Sequence, residues 1–325
     1  MDQKIINWGV LGCASIAENR VIPGILESSN GKLYAISSRG NNEKLARFRQ
    51  KFQPEAVYSD YDDLLNDPNV DAVYIPLPNG LHFDWVLRAA GNGKHILCEK
   101  PLGISKKQVI QMRDVCEMNG VHLMEAFAYR HSPLTVKAKS IVDSGILGEI
   151  QFIESHYGYN LKNEEDVRLS ESLYGGATYD VGCYNINLIR YLAGSEPAKI
   201  CAVGNLSDKH RVDIDSSILM DFRNGIQGFS FCSMMISKTC FYKVIGTEGI
   251  LTVNDEYNSK GKTSIHISTE NGCKEIEVDC PDNYMLEIEQ FGRVIAGEEK
   301  PFVPIEDSIG NAAAIDEGLK QIIGR

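Results

Sequence analysis

Between Ile5 and Glu125 the chain alternates between two hydrophobic patterns. Short apolar runs of strand length are separated by stretches with the apolar spacing of an amphipathic helix. The predicted strands are Ile5–Leu11, Leu33–Ser37, Ala56–Tyr58, Ala72–Ile75, His95–Cys98 and His122–Glu125. The predicted helices are Ile16–Ser28, Asn42–Phe52, Tyr61–Leu65, Leu81–Gly91 and Lys106–Met118. Strands that alternate with helices predict β-α-β units and a parallel sheet.

The pattern changes after Met124. A predicted helix (Leu134–Asp143) leads into a strand (Glu149–Tyr157), and another helix is predicted from Asp180 to Leu192. Several β-rich runs then follow without a helix between them, which indicates an antiparallel sheet. These runs are Lys199–Leu206, Ser216–Phe222, Gly228–Met235, Phe241–Ile245 and Thr263–Ser268, and the last two predicted helices are Tyr284–Ala296 and Glu306–Ile322.

These patterns predict an α/β fold with two domains. Residues 1–124 are expected to form a doubly wound parallel sheet of the Rossmann type. Residues 125–325 are expected to form an α+β domain with a large open, mainly antiparallel sheet. For the last helix of the chain, packing back near the domain interface is an alternative prediction.

Composition and charge exclude several classes of partner. The net charge is −11, and no run rich in lysine and arginine exists, so nucleic acid is not an expected partner. The nine cysteines have no C-x-x-C spacing and the seven histidines are dispersed, so no metal site is expected. No uncharged apolar stretch is long enough to cross a bilayer. We expect a protein without a membrane partner, in a reducing cytoplasm.

The turn after the first strand reads Gly12-Cys13-Ala14-Ser15-Ile16-Ala17, where a dinucleotide-binding turn usually reads G-x-G-x-x-G. The first glycine makes the tight turn, and the later ones allow close approach of backbone to pyrophosphate and of helix to strand. Alanine adds one methyl group, which weakens the pattern without sterically excluding a nucleotide. Two interpretations stay open: a cofactor turn, or simple packing of a strand against a helix that Pro23 ends or kinks early.

The end of the second strand, Ser37-Ser38-Arg39, distinguishes between nicotinamide cofactors. An NAD site usually carries Asp or Glu there to bind the ribose hydroxyls. A guanidinium and two hydroxyls suit a 2′-phosphate instead. In register with the first turn, these residues favour NADP(H) over NAD(H), although by itself the segment also reads as an ordinary polar loop.

Two further segments carry side chains suited to chemistry. The strand in "HILCEKPLG" (95–103) ends in Glu99 and Lys100, at the sheet edge where ligands of α/β folds bind. The alternative is a solvent lysine paired with Glu99. In "GGATYDVGCYNINLIRYLAG" (175–194), Asp180, Tyr184 and Asn187 share one predicted helical face. That stripe either lines a cleft or is a solvated face.

These motifs together resemble the glucose–fructose oxidoreductase / inositol dehydrogenase family, Gfo/Idh/MocA. The resemblance runs through "WGVLGCASIA", "SSR", "YIPLPNGLH", "CEKPLG", "EAFAYRHSP", "SGILGEI" and "GGATYDVGCY", covering most of residues 5–194. It implies an NAD(P)-dependent oxidoreductase with the two-domain fold predicted above. Residues 1–124 would be the Rossmann NAD(P)-binding domain, and residues 125–325 would bind substrate and mediate oligomerisation. The later β-rich portion shares only a general succession of strands with the family, without specific motifs.

The resemblance implies roles for three residues. Lys100 would touch cofactor and substrate and assist proton transfer, and Asp180 would bind substrate hydroxyls. Tyr184 stands where many members carry histidine, as in the branch of glucose–fructose oxidoreductase and dimeric dihydrodiol dehydrogenase, in which the tyrosine is the acid/base. Asn187 replaces an aspartate that many inositol- and sugar-oxidising members carry, which puts an inositol-type polyol in doubt.

The remaining site residues follow from the same resemblance. The full predicted cofactor set is Gly12, Cys13, Ala14, Ser15, Ile16, Ser37, Ser38, Arg39, Pro76, Leu77, Pro78, Asn79, His82, Glu99 and Lys100. His82 has the alternative of a capping or packing role. Arg168 would contact substrate or pair with Glu171 or Glu165, and Tyr157 would line a pocket wall for a ring-shaped ligand. Tyr129 and Arg130 match the crossover between the domains.

The predicted reaction is hydride transfer between nicotinamide and a carbonyl or carbinol carbon of a polyol, sugar or diol. Tyr184 would be the general acid/base, Lys100 would favour its phenolate, and Asp180 would orient the substrate or Lys100. One alternative is a non-catalytic protein that senses cofactor or ligand. Another is a structural oligomer whose cofactor never turns over. A homodimer or homotetramer through the C-terminal sheet is expected in each case.

Overall fold

The computed structural model describes residues 4–40 and 42–324. Its strands are β1 (Ile6–Leu11), β2 (Gly31–Ser37), β3 (Ala56–Tyr58), β4 (Ala72–Ile75), β5 (His95–Glu99), β6 (Leu123–Ala126), β7 (Ile150–Asn160), β8 (Pro197–Leu206), β9 (Asp213–Phe222), β10 (Gln227–Ser233), β11 (Met235–Gly246), β12 (Gly249–Val253), β13 (Gly261–Thr269) and β14 (Gly272–Cys280). Its α-helices are α1 (Ile22–Glu27), α2 (Glu43–Phe52), α3 (Tyr61–Leu65), α4 (His82–Gly91), α5 (Lys106–Met118), α6 (Pro133–Asp143), α7 (Cys183–Ala193), α8 (Asn283–Ile295) and α9 (Ile305–Ile323).

Two compact units divide the chain, and neither is continuous in sequence. One contains the residues up to Gly103, Lys107–His131 and Asp282–Ser308; the other contains Ile104–Lys106, Ser132–Pro281 and the residues from Ile309 onward. The division into domains at residue 124 stays a prediction. None of the described helices is long and apolar enough to span a membrane.

The first unit is built on a six-stranded sheet in the order β3-β2-β1-β4-β5-β6, and every neighbouring pair is parallel. All four residues of β4 are buried, as expected when helices cover both faces of a parallel sheet. The strand order reverses between β1 and β4. In this Rossmann arrangement the crevice at the reversal, beyond the carboxyl ends of the strands, is where a dinucleotide binds.

A helix from late in the sequence completes the first unit. On α8, Phe291 packs against Trp8 of β1, with ring centroids 5.9 Å apart. A Cβ on Gly24 of α1 would lie 2.9 Å from the backbone nitrogen of Met285, so α1 and α8 are in close contact because Gly24 has no side chain.

The second unit is built on an eight-stranded sheet in the order β14-β13-β12-β11-β7-β10-β9-β8. Its pairs are antiparallel apart from β7 with β10. Ile189 of α7 packs closely over Gly228 on one face of this sheet, where α9 also packs through Gly318 against Ile218. The predicted fold class, a Rossmann sheet followed by a large, mainly antiparallel sheet, is confirmed.

Several element boundaries differ from the prediction. A π-helical turn (Ala17–Val21) directly precedes α1, and Pro23 is the second residue of α1. The helix continues past Pro23 to Glu27, so the prediction that Pro23 ends it early is wrong, and a kink at Pro23 stays a prediction. Strands β12 and β14 were not predicted. The helix expected from Asp180 begins at Thr178 with a second π-helical turn, Thr178–Gly182.

Candidate active site

The nucleotide turn of the first unit depends on Gly12. Its φ of +117° is in the region that favours glycine, and its N–H donates to Ser37 O at 2.9 Å. A Cβ there would approach Leu77 Cδ2 to 3.1 Å. Beyond Gly12, the segment Cys13–Ile16 is half-buried or exposed at the carboxyl end of β1, whereas Ala17 is fully buried. The turn can therefore present backbone N–H groups to a pyrophosphate, and the alanine at position 17 serves helix packing.

At the end of β2 two buried serines, Ser37 and Ser38, are followed by the exposed Arg39. The Ser37 hydroxyl is buried and donates to Val10 O at 3.3 Å. Ser38 Oγ accepts from Asn42 Nδ2 at 3.0 Å, and Arg39 is exposed. Ser38 and Arg39 fit a 2′-phosphate at this position because a guanidinium and a hydroxyl both donate to phosphate oxygens.

Burial raises the pKa of the Cys13 thiol to about 11, and Ser38 hydrogen-bonds to this side chain. Cys13 is thus a neutral packing residue within the predicted cofactor turn. Its direct contact with a nucleotide stays a prediction, as do those of Ala14, Ser15 and Ile16.

The loop after β4 is anchored by a buried histidine. His82 is fully buried; its Nδ1 lies 2.9 Å from Pro101 O and its Nε2 lies 2.7 Å from Leu77 O. Burial lowers the pKa of His82. The ring therefore connects the loops that follow β4 and β5, which favours the packing role. Pro76 is buried and the segment 77–80 is half-buried, and their contact with nicotinamide stays a prediction.

Lys100 follows β5 directly and is half-buried. The neighbouring Glu99 accepts a 2.6 Å hydrogen bond from the phenol of Tyr74, which is fully buried. Burial, with the Glu99 carboxylate beside it, holds the pKa of Tyr74 well above its ordinary value. Glu99 is thus fixed by a neutral buried donor, and the contact of Lys100 with cofactor and substrate stays a prediction.

In the second unit, the two glycines of "GGATYD" allow this turn to lie close to two other segments, the backbone at Arg168 and the side chain of Asp213. A Cβ on Gly175 would overlap the carbonyl of Arg168, and one on Gly176, at φ +120°, would overlap Asp213 Oδ1. Asp213 is buried and accepts from the backbone N–H of Thr178 at 2.7 Å. Burial raises the pKa of Asp213 to about 6. A carboxyl group from β9 thus fixes the start of the helical segment that carries Asp180.

Asp180 is held from two sides. Arg168 Nε lies 3.0 Å from Asp180 Oδ1, and the Tyr159 hydroxyl donates to Oδ2 at 2.6 Å. Arg168 also pairs with Asp166 at 3.2 Å. The carboxylate of Asp180 raises the pKa of both Arg168 and Tyr159, with burial as the larger cause for the phenol.

The ion-pair alternative for Arg168 was therefore assigned to the wrong acids. Glu171 pairs with Arg211 instead, at 3.5 Å. A role of Arg168 in substrate contact stays a prediction.

Tyr184 lies in a cluster of three aromatic rings. Its centroid is 5.1 Å from that of Tyr257 and 5.8 Å from that of Tyr157. The Tyr257 hydroxyl donates to Asn185 Oδ1 at 2.8 Å, which fixes one wall of the cluster. Burial raises the pKa of Tyr157, so its phenol stays protonated at neutral pH. The cluster presents aromatic faces to which a ring-shaped ligand can bind.

Asn187 differs from the other two residues of the predicted polar stripe in its burial. Asp180 and Tyr184 are half-buried, but Asn187 is fully buried. Tyr184 and Asn187 both lie in α7, whereas Asp180 lies in the π-helical turn Thr178–Gly182 that precedes it, so the spacing that departs from 3.6 residues per turn is the one between Asp180 and Tyr184. The interpretation of all three as one solvated face is wrong, and the substrate contact of Asn187 stays a prediction.

Sequence reasoning missed Tyr159 and Asp213 as site residues. Tyr159 lies two positions after Tyr157 on β7, and side chains two apart on a strand point to the same face. The sequence pattern could therefore have placed Tyr159 on the same face as Tyr157. Asp213 had no local signal, because it reaches Thr178 only through the folded sheet.

Two family models match the chain. One, "Oxidoreductase family, NAD-binding Rossmann fold", matches residues 6–127, and the other, "GFO/IDH/MocA C-terminal domain", matches residues 135–252. The chain belongs to the Gfo/Idh/MocA oxidoreductase family. The predicted family, the oxidoreductase class and a nicotinamide dinucleotide cofactor are confirmed. This family member is therefore an NAD(P)-dependent dehydrogenase or reductase.

Several relatives match over nearly their full length. D-xylose 1-dehydrogenase (NADP(+)) 2 of Haloferax volcanii is 36% identical over 312 residues, 95% of each chain. Trans-1,2-dihydrobenzene-1,2-diol dehydrogenase of Xenopus tropicalis is 27% identical over 330 residues, 97% of each chain. The crystal structure of a 3-ketoreductase from Actinomadura kijaniata with NADP and TDP-benzene superposes with a TM-score of 0.92 at 29% identity, covering 98% of each chain.

Proposed function

We propose that this enzyme is an NADP(H)-dependent oxidoreductase that acts on a carbonyl or carbinol carbon of a sugar-like or cyclic diol substrate. The observation that carries the proposal is the fixed Asp180 carboxylate, held by Arg168 and Tyr159, one helical turn before Tyr184 in a ring-lined cluster. Relatives named for xylose, dTDP-sugar and dihydrodiol substrates support the substrate class.

NADP(H) is proposed over NAD(H) because of the residues that follow β2. Ser38 and the exposed Arg39 stand where an NAD site would carry a carboxylate. The relative from Haloferax volcanii is named for NADP(+), and the ketoreductase crystal structure holds NADP. NAD(H) is retained as the weaker alternative.

Tyr184 is proposed as the general acid/base. The bound nicotinamide would supply or accept the hydride. A phenol is ordinarily protonated at neutral pH, so in the reducing direction the tyrosine donates its proton to the alkoxide oxygen of the substrate. In the oxidising direction it must first lose that proton, and the ammonium of Lys100 is proposed to favour the phenolate.

Asp180 is proposed to orient the substrate. A carboxylate is an acceptor with about four lone-pair sites, so it can accept hydrogen bonds from vicinal hydroxyls. Such hydroxyls are the groups that sugars and diols share. Because Arg168 and Tyr159 hold the carboxylate in place, little orientation entropy is lost when substrate binds.

A homo-oligomer through the second sheet is also proposed. On the face opposite α7, His156 stacks on Phe241 with centroids 4.3 Å apart, and Phe229 and Phe231 lie within 6 Å of the same ring. These side chains are half-buried. A contiguous aromatic surface of this kind favours association with a second copy. A reducing cytoplasm is proposed as the location, because all nine cysteines are free thiols.

The proposal is tested by absorbance with the purified full chain. NADP(H) and NAD(H) would each be combined with a panel of aldoses, keto-sugars and cyclic diols, with Asp180→Asn as the comparison variant. We expect substrate-dependent NADPH turnover that Asp180→Asn weakens mainly through KM. Tight NADPH binding without turnover on any panel member would instead favour a non-catalytic sensor of the same fold.

A further inference from the structure

The second unit contains a cavity of about 270 Å³ that is lined by none of the residues proposed to bind substrate or cofactor. Of the features described above, it includes Gly175 of the glycine turn and the Glu171–Arg211 pair. We name it the Tyr179 cavity. Its apolar lining is formed by Ile104, Val212, Leu319 and Ile323, with the two tyrosines Tyr174 and Tyr179. This volume is just below the range of typical small-molecule pockets, about 300–1,000 Å³. It therefore suits a ligand of one or two fused rings.

The lining tyrosines present aromatic surface. Tyr179 is only 8% exposed, and its hydroxyl donates to Ile104 O at 3.1 Å, so the phenol oxygen is already engaged. Tyr174 is 41% exposed at the mouth. A ligand ring can pack against both, with the aliphatic side chains of Val212 and Leu319 around it.

Charged groups at the mouth cancel one another. Arg211 Nε lies 3.5 Å from Glu171 Oε2, and Lys320 Nζ lies 3.1 Å from Asp316 Oδ2. The four side chains carry two charges of each sign. A charged ligand would have to compete with one of these pairs, whereas hydroxyl groups can hydrogen-bond to both signs. The lining therefore favours an uncharged ligand with hydroxyl substituents.

The backbone gives a second, independent observation. Among the described residues, only Gln53, Tyr174 and Arg211 combine a side chain with a left-handed φ, and the last two both line this cavity at φ +56° and +58°. Such conformations are unfavourable for a residue with a side chain, and they cluster at ligand-binding segments. Two of them on one cavity are unexpected for a surface depression without a role.

We propose that the Tyr179 cavity is a second ligand site for a neutral, hydroxylated ring compound. Gly175 lines the cavity and lies so close to the backbone of Arg168 that a Cβ on Gly175 would overlap the Arg168 carbonyl. The side chain of Arg168 forms the ion pair with Asp180. A ligand in the cavity would thus lie against the same turn that positions the proposed substrate-binding carboxylate, without contacting that carboxylate.

The test is a ligand-observed NMR titration of the full chain with 2-naphthol. The matched charged probes are 2-naphthoate and 2-naphthylmethylammonium. Leu319→Trp fills the cavity from α9, and Ile323→Trp does so from the last helical turn if the first variant fails to fold. Glu317→Trp places the same side chain at an exposed position of α9 that does not line the cavity.

We expect saturable binding of 2-naphthol to the parent and to Glu317→Trp. Binding to the cavity-filled variants should weaken by at least about tenfold, a loss of about 1.4 kcal/mol. Both charged probes should bind at least about tenfold more weakly than 2-naphthol. The proposal is overturned if 2-naphthol does not bind the parent, if both filled variants bind it as tightly, or if either charged probe matches it.

Discussion

Gly176→Ala is the substitution that tests most sharply how the helical segment of the proposed site is positioned. The residue has φ +120°, and an added Cβ would overlap Asp213 Oδ1. A side chain in the left-handed region costs about 1–2 kcal/mol. Forcing a buried group aside costs about a further 1–3 kcal/mol. The expected loss in the free energy of unfolding is therefore about 2–5 kcal/mol.

Gly272→Ala is the matched control. Gly272 has φ +121°, almost the same conformation, but no atom lies within 4 Å of the Cβ it would gain. Its expected cost is the backbone part alone, about 1–2 kcal/mol. The change in unfolded-chain entropy on replacing glycine by alanine is common to both variants and cancels in the comparison.

Urea denaturation at one pH gives both free energies of unfolding. We expect Gly176→Ala to be less stable than Gly272→Ala by about 1–3 kcal/mol, the part that comes from the contact with Asp213. Gly176→Ala should also lose turnover, since it displaces the start of the segment that holds Asp180. Equal stability losses in the two variants would refute the conclusion that Asp213 and Gly176 fix this segment together.

Three further predictions follow from named groups. Arg39→Glu should shift the ratio of kcat/KM for NADP(H) to kcat/KM for NAD(H) toward NAD(H) by at least about tenfold. The reason is that it removes the cation proposed for the 2′-phosphate and introduces an acid. An unchanged ratio would exclude Arg39 from that role. Because the pKa of Asp213 is raised from 3.8 to about 6 in the folded chain, its stabilising effect is complete below pH 3.8 and is lost as pH rises through 6. Asp213→Asn should therefore gain up to about 3 kcal/mol over the parent between pH 4 and pH 7 in denaturation experiments, and a pH-independent difference would contradict this. Phe241→Asp should reduce the molar mass in light scattering if the aromatic sheet face is an interface, and an unchanged mass would remove that face from the proposal.

The sequence predicted those parts of the fold that depend on local pattern. The six strands of the Rossmann sheet are apolar runs bounded by turns, so their period and length are readable without a structure. Gly12 and Lys100 were predicted at the carboxyl ends of β1 and β5, because strand ends are visible in the sequence and topology then brings them to one edge.

Strand β14 shows where the pattern is insufficient. Its sequence, "GCKEIEVDC", has four charged residues among nine, and most of its residues are exposed because it is an edge strand. It pairs with β13 through backbone hydrogen bonds that no side-chain pattern reports. Polar edge strands are common because charges on an edge prevent association with other chains.

The candidate site shows a different limit. The pairing of Arg168 with Asp180 spans a loop whose path is set by two glycines, and Asp213 comes from a strand on the far side of the helix start. Such contacts depend on tertiary structure alone. The burial of Asn187 is likewise a tertiary effect: Tyr184 and Asn187 both lie in α7, and local helix periodicity does not show that only Asn187 is fully buried.

The central claim is that the phenol of Tyr184 moves the proton, and the most direct measurement compares turnover of Tyr184→Phe with that of Tyr257→Phe. The ring of Tyr257 lies beside that of Tyr184, with centroids 5.1 Å apart, but the Tyr257 hydroxyl is hydrogen-bonded to Asn185 and Ser155. We expect Tyr184→Phe to lose turnover by about 10²–10⁴-fold with NADPH affinity unchanged, while Tyr257→Phe retains most of its rate. Near-parent turnover of Tyr184→Phe on the same substrate would contradict the account.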